Sequence, residues 1–537
     1  MADRTLLSGD EAVALGALDA GVSLGTGYPG TPSTEILEAF AKLGGRAQWA
    51  PNEKVALEVG IGAAYGGGAA LVTMKHVGVN VAADPLFTAA YTGVTGSLVI
   101  ISADDPGMAS SQNEQDNRRY AVAAGVPMIE PSDSQEAYAM LRRAVALSHE
   151  FGGPVMFRMT TRVCHSKSIV QRNAAAGDTW RPTPGFVRDI KGRVMIPAYA
   201  RPAHRRLRAR LAKLAEANET SDLNVWERGG SELGLIASGV AYLHAREAAP
   251  EASLLKLGMT YPLPLKLLRR FVESVKRCVV IEEGDPYLVE ALRAEGIKVE
   301  GKAEAFRFGE LGVESVRQIL AGKIAPEAIA VPPSKAPQLC VSCPYHAVFG
   351  TLQELDCIVS GDIGCYTLGV LPPYTAMDTC VCMGASLGVG LGLRHVLPEA
   401  EARRVVSVIG DSTFVHSGIS GLMEMVYNPP ATGHVVIILD NGTTAMTGQQ
   451  EHPGTGRTLL HEGTGKVKIE DVARAVGVKQ VSVIDAHGDR AGFKQLLIER
   501  LASNELSVII SRRPCLLAAG KIRQYELAIL KGCEHGS

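Results

Sequence analysis

Short β-branched runs alternate with stretches of helical period along most of this chain. Residues 405–409 form one such run, which stops at Gly410-Asp411-Ser412. The apolar-periodic stretch 419–427 follows, and a second run, 434–439, stops at Asp440-Asn441-Gly442. The pattern predicts strand, turn, helix, strand. It puts acidic and amide oxygens at the carboxyl ends of two parallel strands, the edge at which such sheets bind ligands. Asp411 and Asn441 are hard oxygen ligands of the kind Mg²⁺ takes together with phosphate oxygens. The plainer reading is two ordinary strand-end turns, since Asp, Asn and Gly favour turns anyway. The same alternation predicts a helix over 9–20 and strands at 70–74, 98–102 and 155–159. A further α/β unit starts at 234–240, with strands at 278–282 and 298–299. Strands alternating with helices predict an α/β fold class, with mainly parallel sheets flanked by helices on both faces.

The segments that interrupt this rhythm carry the candidate chemistry. Residues 22–33, VSLGTGYPGTPS, break any helix, and Thr31 or Ser33 is expected to cap the next one, with Glu35 and Glu38 in its first turns. A turn that ends at a helix N-terminus suits a carboxylate or phosphate. Residues 52–65, NEKVALEVGIGAAY, read as a closely packed small-residue helix. Glu53 at its start is either a capping acid or a buried one, and Glu58 lies more than a turn further on. The polar run 102–118 is too long for a tight turn, so it is a solvated loop or a lip over a pocket or subunit contact. Lys75-His76 follows a buried-looking strand, where the histidine reads as structural. The basic stretch 201–214, RPAHRRLRARLAKL, is expected to be a solvated connector helix, and the Pro- and Ala-rich stretch 325–337 a linker.

Length and composition narrow the picture. At 537 residues the chain is too long for one core, and three domains is the natural expectation. The 58 glycines suit many strand-to-helix turns. A net charge of −2 makes no electrostatic case for nucleic acid or an anionic membrane. No apolar run reaches the roughly 18 residues of a membrane span, and the N-terminus lacks a signal-peptide core, so the expected compartment is the cytoplasm. Ten cysteines in that setting point to reduced thiols or a metal or cluster site, not a disulfide framework. Cys340 and Cys343 have chelating C-x-x-C spacing, with Cys365 and Cys515 further on. Four thiolates suit either tetrahedral zinc or an iron–sulfur cluster. Cys357, Cys380 and Cys382 read as buried structural cysteines.

Several of these strings together resemble one family. Gly410-Asp411-Ser412 followed by Asn441 looks like the thiamine-diphosphate motif. GYPGTPS at 27–33, NEKVALE at 52–58, MKHVG at 74–78, DDPG at 104–107 and TTAMTG at 443–448 resemble the large subunit of indolepyruvate ferredoxin oxidoreductases, within the 2-oxoacid:ferredoxin oxidoreductase superfamily. The resemblance implies a thiamine-diphosphate-binding fold in three domains. These are a pyrimidine-binding domain at 1–170, a transketolase C-terminal-like domain at 231–330 after a linker with the basic helix at 171–230, and a diphosphate-binding domain with the cysteine site at 336–537.

Residue by residue, the resemblance implies that Asp411, Asn441 and the carbonyl of Thr443 ligate Mg²⁺, with Gly410 and Ser412 completing the diphosphate motif. Glu53 matches the glutamate on N1′ of the aminopyrimidine, and Thr31 the threonine near the substrate carbonyl. His416 is a further candidate for the substrate side. Cys340, Cys343, Cys365 and Cys515 match the ligands of one 4Fe–4S cluster. The implied activity is oxidative decarboxylation of an aryl 2-oxo acid such as indolepyruvate, with electrons passing through the cluster to ferredoxin and the acyl group to coenzyme A. The implied partner is a smaller subunit in an α2β2 assembly. The rivals are non-oxidative decarboxylation to an aldehyde and a non-catalytic subunit. Two departures stand out. The sequence ends at 530–537 without the family's C-terminal ferredoxin-like domain, so electrons are expected to leave for another protein. Pro344-Tyr345-His346 also replaces the frequent Pro-His-Arg.

Overall fold

Seven strands make the largest sheet, in the order Met259–Tyr261, Met128–Ile129, Val155–Thr160, Ser97–Asp104, Ala69–Lys75, Leu24–Gly27 and Ala47–Trp49. All pairings are parallel except the antiparallel edge strand Met259–Tyr261. Ala69–Lys75 and Ser97–Asp104 are buried along their whole length, as parallel strands covered on both faces must be. One face packs on helices Gly9–Asp19 and Ser134–Phe151, the other on Glu53–Tyr65 and Ala83–Thr92. A reciprocal capping box between Ser8 and Glu11 starts Gly9–Asp19. The computed structural model describes residues 3–173, 182–326 and 338–534.

The basic stretch lies in helix Pro197–Asn218. That helix buries Ala203, Leu207, Leu211 and Leu214 at helical spacing and turns Arg205, Arg206 and Arg208 to solvent. A second sheet runs Arg277–Ile281, Gly230–Ala237, Ala252–Lys256, Val225–Glu227, with only the last strand antiparallel. The strand expected at 298–299 is instead a single bridge from Glu300 to Val279. Strand Met259–Tyr261 leaves this sheet to join the large one. Buried Arg118 donates to Glu282 Oε2 at 2.7 Å and to the carbonyls of Glu283 and Asp285. The segment expected as a domain at 231–330 has its own sheet and core clusters and lies in one compact unit with the first, Met1–Ala330.

Val331–Ser537 forms the second unit. Its five strands are all parallel, in the order Ile358–Ser360, Val405–Gly410, His434–Asp440, Leu506–Arg512, Gln480–Ile484. Helices Tyr345–Glu354 and Arg490–Ala502 cover one face, Ala385–Val396 and Ile419–Tyr427 the other. The linker expected at 325–337 lies, past residue 326, outside the described residues.

Candidate active site

In the second unit, Val405–Gly410 and His434–Asp440 are neighbours in register, with Gly410 opposite Leu439. Their carboxyl ends therefore deliver Asp411 and Asn441 side by side. Asp411, Asn441 and Thr443 are 2%, 6% and 3% exposed. The Asp411 oxygens accept from the N–H groups of Ser412 (2.9 Å) and Gly442 (2.8 Å). Asn441 Oδ1 accepts from Thr443 N–H at 3.0 Å, and its Nδ2 donates to Tyr345 Oη at 2.6 Å. Because Thr443 N–H can only donate, the amide orientation is fixed. Gly410 is required sterically, since a Cβ there would meet the Tyr366 ring at 2.7 Å. Burial, then the charge of Asp411, pushes the neighbouring Asp440 up. A buried carboxylate, an amide oxygen and a backbone carbonyl at one strand edge form a donor set that fits Mg²⁺.

His452 also belongs here, with Nε2 3.3 Å from Asp411 Oδ2 and, among the described residues, no hydrogen bond to that nitrogen. Sequence reading missed it, although the run Glu451-His452-Pro453-Gly454 directly after the motif was a usable signal. His416 sits in a π-helical turn, Phe414–Gly418, a geometry that recurs at functional sites. It is 3% exposed, and its Nδ1 lies 2.6 Å from Ser417 Oγ.

The four expected cysteines come together in the same unit. Burial, with the charges of Cys340, Cys365 and Cys515, pushes the Cys343 thiol up to about 11. Cys365 also reaches about 11, through burial and then Cys515 and Cys340. Tetrahedral zinc would hold its sulfurs about 3.8 Å apart, from Zn–S bonds of about 2.3 Å. Among the described residues no three of these sulfurs lie within 4.8 Å of one another. Four thiolates suit either tetrahedral zinc or an iron–sulfur cluster.

Tyr345 and His346, where the sequence departs from the family pattern, both have work here. Tyr345 reaches Asn441, while His346 places Nε2 2.8 Å from the Cys340 carbonyl and Nδ1 2.8 Å from Tyr374 Oη. Cys515 N–H donates to the Asn441 carbonyl at 2.9 Å, tying Cys515 to the turn after strand His434–Asp440. Cys380 and Cys382 are exposed, contrary to the buried structural role expected of them. They lie past the Ser360–Thr379 bridge, in the loop before Ala385–Val396, where no sheet covers them.

In the first unit, Glu53 heads helix Glu53–Tyr65 and is 5% exposed. The cap is Asn52, whose side chain accepts from Val55 N–H at 2.9 Å, so capping does not explain the buried acid. Glu53 packs on Gly78, where a Cβ would fall 2.6 Å from Oε1. Glu58 is exposed and paired with Lys54. Thr31 is half-buried in the loop after Leu24–Gly27. Neither Thr31 nor Ser33 caps the next helix as expected. Ser33 Oγ donates instead to the Gly30 carbonyl, and Gly30 N–H to Thr34 Oγ1, both at 2.9 Å.

His76 is fully buried, with Nε2 3.0 Å from the Asn113 carbonyl. That contact makes Nε2 the protonated nitrogen, and burial lowers the ring's pKa. The polar run after Ser102 proves to be a lip. Its residues Gln112 to Asp116, with Arg158 and Arg307, line a cavity of about 500 Å³ within this unit.

Residues 15–186 match the family described as "Pyruvate flavodoxin/ferredoxin oxidoreductase, thiamine diP-bdg", and residues 362–511 the "Thiamine pyrophosphate enzyme, C-terminal TPP binding domain". The indolepyruvate oxidoreductase subunit IorA of Archaeoglobus fulgidus is 38% identical, over 98% of this chain and 88% of its own. That of Methanothermobacter thermautotrophicus is 38% identical over 98% and 89%, and that of Pyrococcus abyssi 36% over 97% and 87%. In fold, the chain is similar to a 2-oxoglutarate:ferredoxin oxidoreductase from Magnetococcus marinus. The TM-score is 0.51 at 18% identity, over 60% of this chain and 66% of that one. Among the described residues no helix is long and apolar enough to cross a membrane. With such identity along nearly its whole length, the chain belongs to the indolepyruvate oxidoreductase subunit IorA family of thiamine-diphosphate-dependent oxidoreductases.

Proposed function

We propose that this chain catalyses oxidative decarboxylation of an aryl 2-oxo acid of the indolepyruvate type in the cytoplasm. Electrons leave through one 4Fe–4S cluster to ferredoxin or another acceptor, and the acyl group passes to coenzyme A. The names of the relatives support the aryl substrate and a partner subunit, which we take to be a smaller chain in an α2β2 assembly. Asp411, Asn441 and the Thr443 carbonyl would hold Mg²⁺ and through it the diphosphate, with Gly410 and Ser412 shaping the turn. Bound thiamine diphosphate would supply the electron sink that lets a 2-oxo acid lose CO₂. Glu53 would hydrogen-bond N1′ of the aminopyrimidine, a task for a buried carboxyl that its helix does not need as a cap. Thr31 would sit beside the substrate carbonyl, with His416 on the substrate side. Cys340, Cys343, Cys365 and Cys515 would hold the cluster.

One observation carries the oxidative reading. Asn441 is shared between the two sites, through Tyr345 Oη on its amide and Cys515 N–H on its carbonyl. A sulfur-lined acceptor site built onto the metal turn favours electron capture within the chain over release of an aldehyde. Anaerobic purification with the partner, iron and sulfide analysis, a visible spectrum and a panel of 2-oxo acids with and without coenzyme A test the reading. Bound iron and coenzyme A-dependent turnover of aryl 2-oxo acids are expected; aldehyde production without iron would replace it with the non-oxidative reaction. Glu53→Gln should abolish turnover, and full activity with thiamine diphosphate present would remove Glu53 from its role.

A further inference from the structure

Lys75 is a buried cation that, among the described residues, forms no ion pair. Strand Ala69–Lys75 pairs in parallel with Leu24–Gly27, Thr73 lying opposite Gly27. The Gly30-Thr31 turn and the Lys75-His76 corner therefore leave the sheet at the same edge, side by side. Lys75 is 9% exposed, and its stem lies against Gly30, where a Cβ would meet Lys75 Cβ at 3.0 Å. Three residues on, Gly78 abuts the Glu53 carboxyl. One corner thus touches both the threonine loop and the acid assigned to the cofactor.

The ammonium has three donors. Two contacts are made, both to Ser110, at 2.7 Å to its carbonyl and 3.3 Å to Oγ. Among the described residues Lys75 forms no ion pair. Asp105, the carboxylate whose charge reaches it, is occupied by Ala109 and Ser110 N–H and by the Ser111 and Thr161 hydroxyls. A desolvated positive charge without a carboxylate is costly unless something anionic completes it. A 2-oxo acid brings that group.

We propose that Lys75 binds the substrate carboxylate, fixing the 2-oxo acid so that its carbonyl lies beside Thr31. This rests on the function proposed above and names the residue that reads the acid group. A role limited to pinning the 105–117 loop through Ser110 would be indifferent to substrate charge, and that difference is the test.

The probes are an arylpropionate and its uncharged amide, titrated calorimetrically into the Mg²⁺–thiamine diphosphate complex of wild type, Lys75→Met and Lys75→Arg with the partner subunit. Thiamine diphosphate affinity, measured in each variant, reports the integrity of the fold. Wild type should prefer the acid over the amide by roughly tenfold to hundredfold, the worth of one charge-assisted hydrogen bond. Lys75→Met should erase that preference and raise the KM for the 2-oxo acid by a similar factor, with thiamine diphosphate affinity unchanged. Lys75→Arg should keep most of it. A preference that survives in Lys75→Met, one absent from wild type, or parallel weakening of acid, amide and thiamine diphosphate would overturn the assignment. Absence of turnover by wild type would instead count against the proposed reaction, because the acid-over-amide preference is read without turnover.

Discussion

Single side chains decide how this site is held. Asn441 is oriented by two partners with opposite demands, a backbone N–H on its oxygen and Tyr345 Oη on its nitrogen. Tyr345→Phe removes one neutral hydrogen bond, worth about 0.5–1.5 kcal/mol. It should weaken Mg²⁺-dependent thiamine diphosphate binding by roughly twofold to tenfold in calorimetry. Unchanged affinity would deny Tyr345 this orienting role. A second residue gives a pH signature. Burial, aided by the charge of Arg118, lowers Lys302 from 10.5 to about 8. Between these values the unfolded chain binds more protons than the folded one, so stability rises with pH across that window. Urea midpoints of wild type should gain on those of Lys302→Met as the pH climbs from about 8 to about 10.5. A gap that ignores pH would contradict the shift. Asp411 and Asn441 were legible in the sequence because motif and turn are local. Tyr345, His452 and Lys75 were not, because each matters only through a residue brought near by folding.

At the scale of elements, hydrophobic period predicted the strands and helices well, and details governed by side-chain rotamers poorly. Ser33 looked like a cap, but its hydroxyl turns back to Gly30. The short run at 298–299 had strand composition but meets its neighbour at a single bridge. Helix Arg118–Ala124 is held to the 282–287 turn by Arg118, which is 1% exposed and also paired with Asp116. Arg118→Met would leave Glu282 buried without its ion-pair partner, and Asp116 with Arg158 alone, 3.9 Å away. The expected cost is about 3–5 kcal/mol in urea unfolding. A loss under about 1 kcal/mol, the level of an exposed pair, would mean the network relaxes or takes up water.

For the whole molecule, each compact unit carries its own set of the proposed site residues, Thr31 and Glu53 in the first, Asp411, Asn441, Thr443 and the four cysteines of the proposed cluster site in the second. The proposed oxygen ligands of Mg²⁺ and the proposed sulfur ligands of the cluster are different residues, joined through the Cys515 N–H to Asn441 carbonyl bond. Cys365→Ser should therefore abolish iron content and dye reduction yet leave thiamine diphosphate affinity intact. Joint loss of both would show the two sites to be inseparable. By itself the sequence determined the α/β class, the parallel strands and the Asp411–Asn441 edge, because these follow from periodicity and turn chemistry within short segments. The tertiary structure alone decided that segment 231–330 lies in one compact unit with the first domain, that Cys380 and Cys382 are exposed, and that Cys340, Cys343, Cys365 and Cys515 influence one another's charge. It also decided that Lys75 is buried and, among the described residues, in no ion pair. Burial and pairing depend on what distant segments bring to the same place, and no local pattern in a chain encodes that.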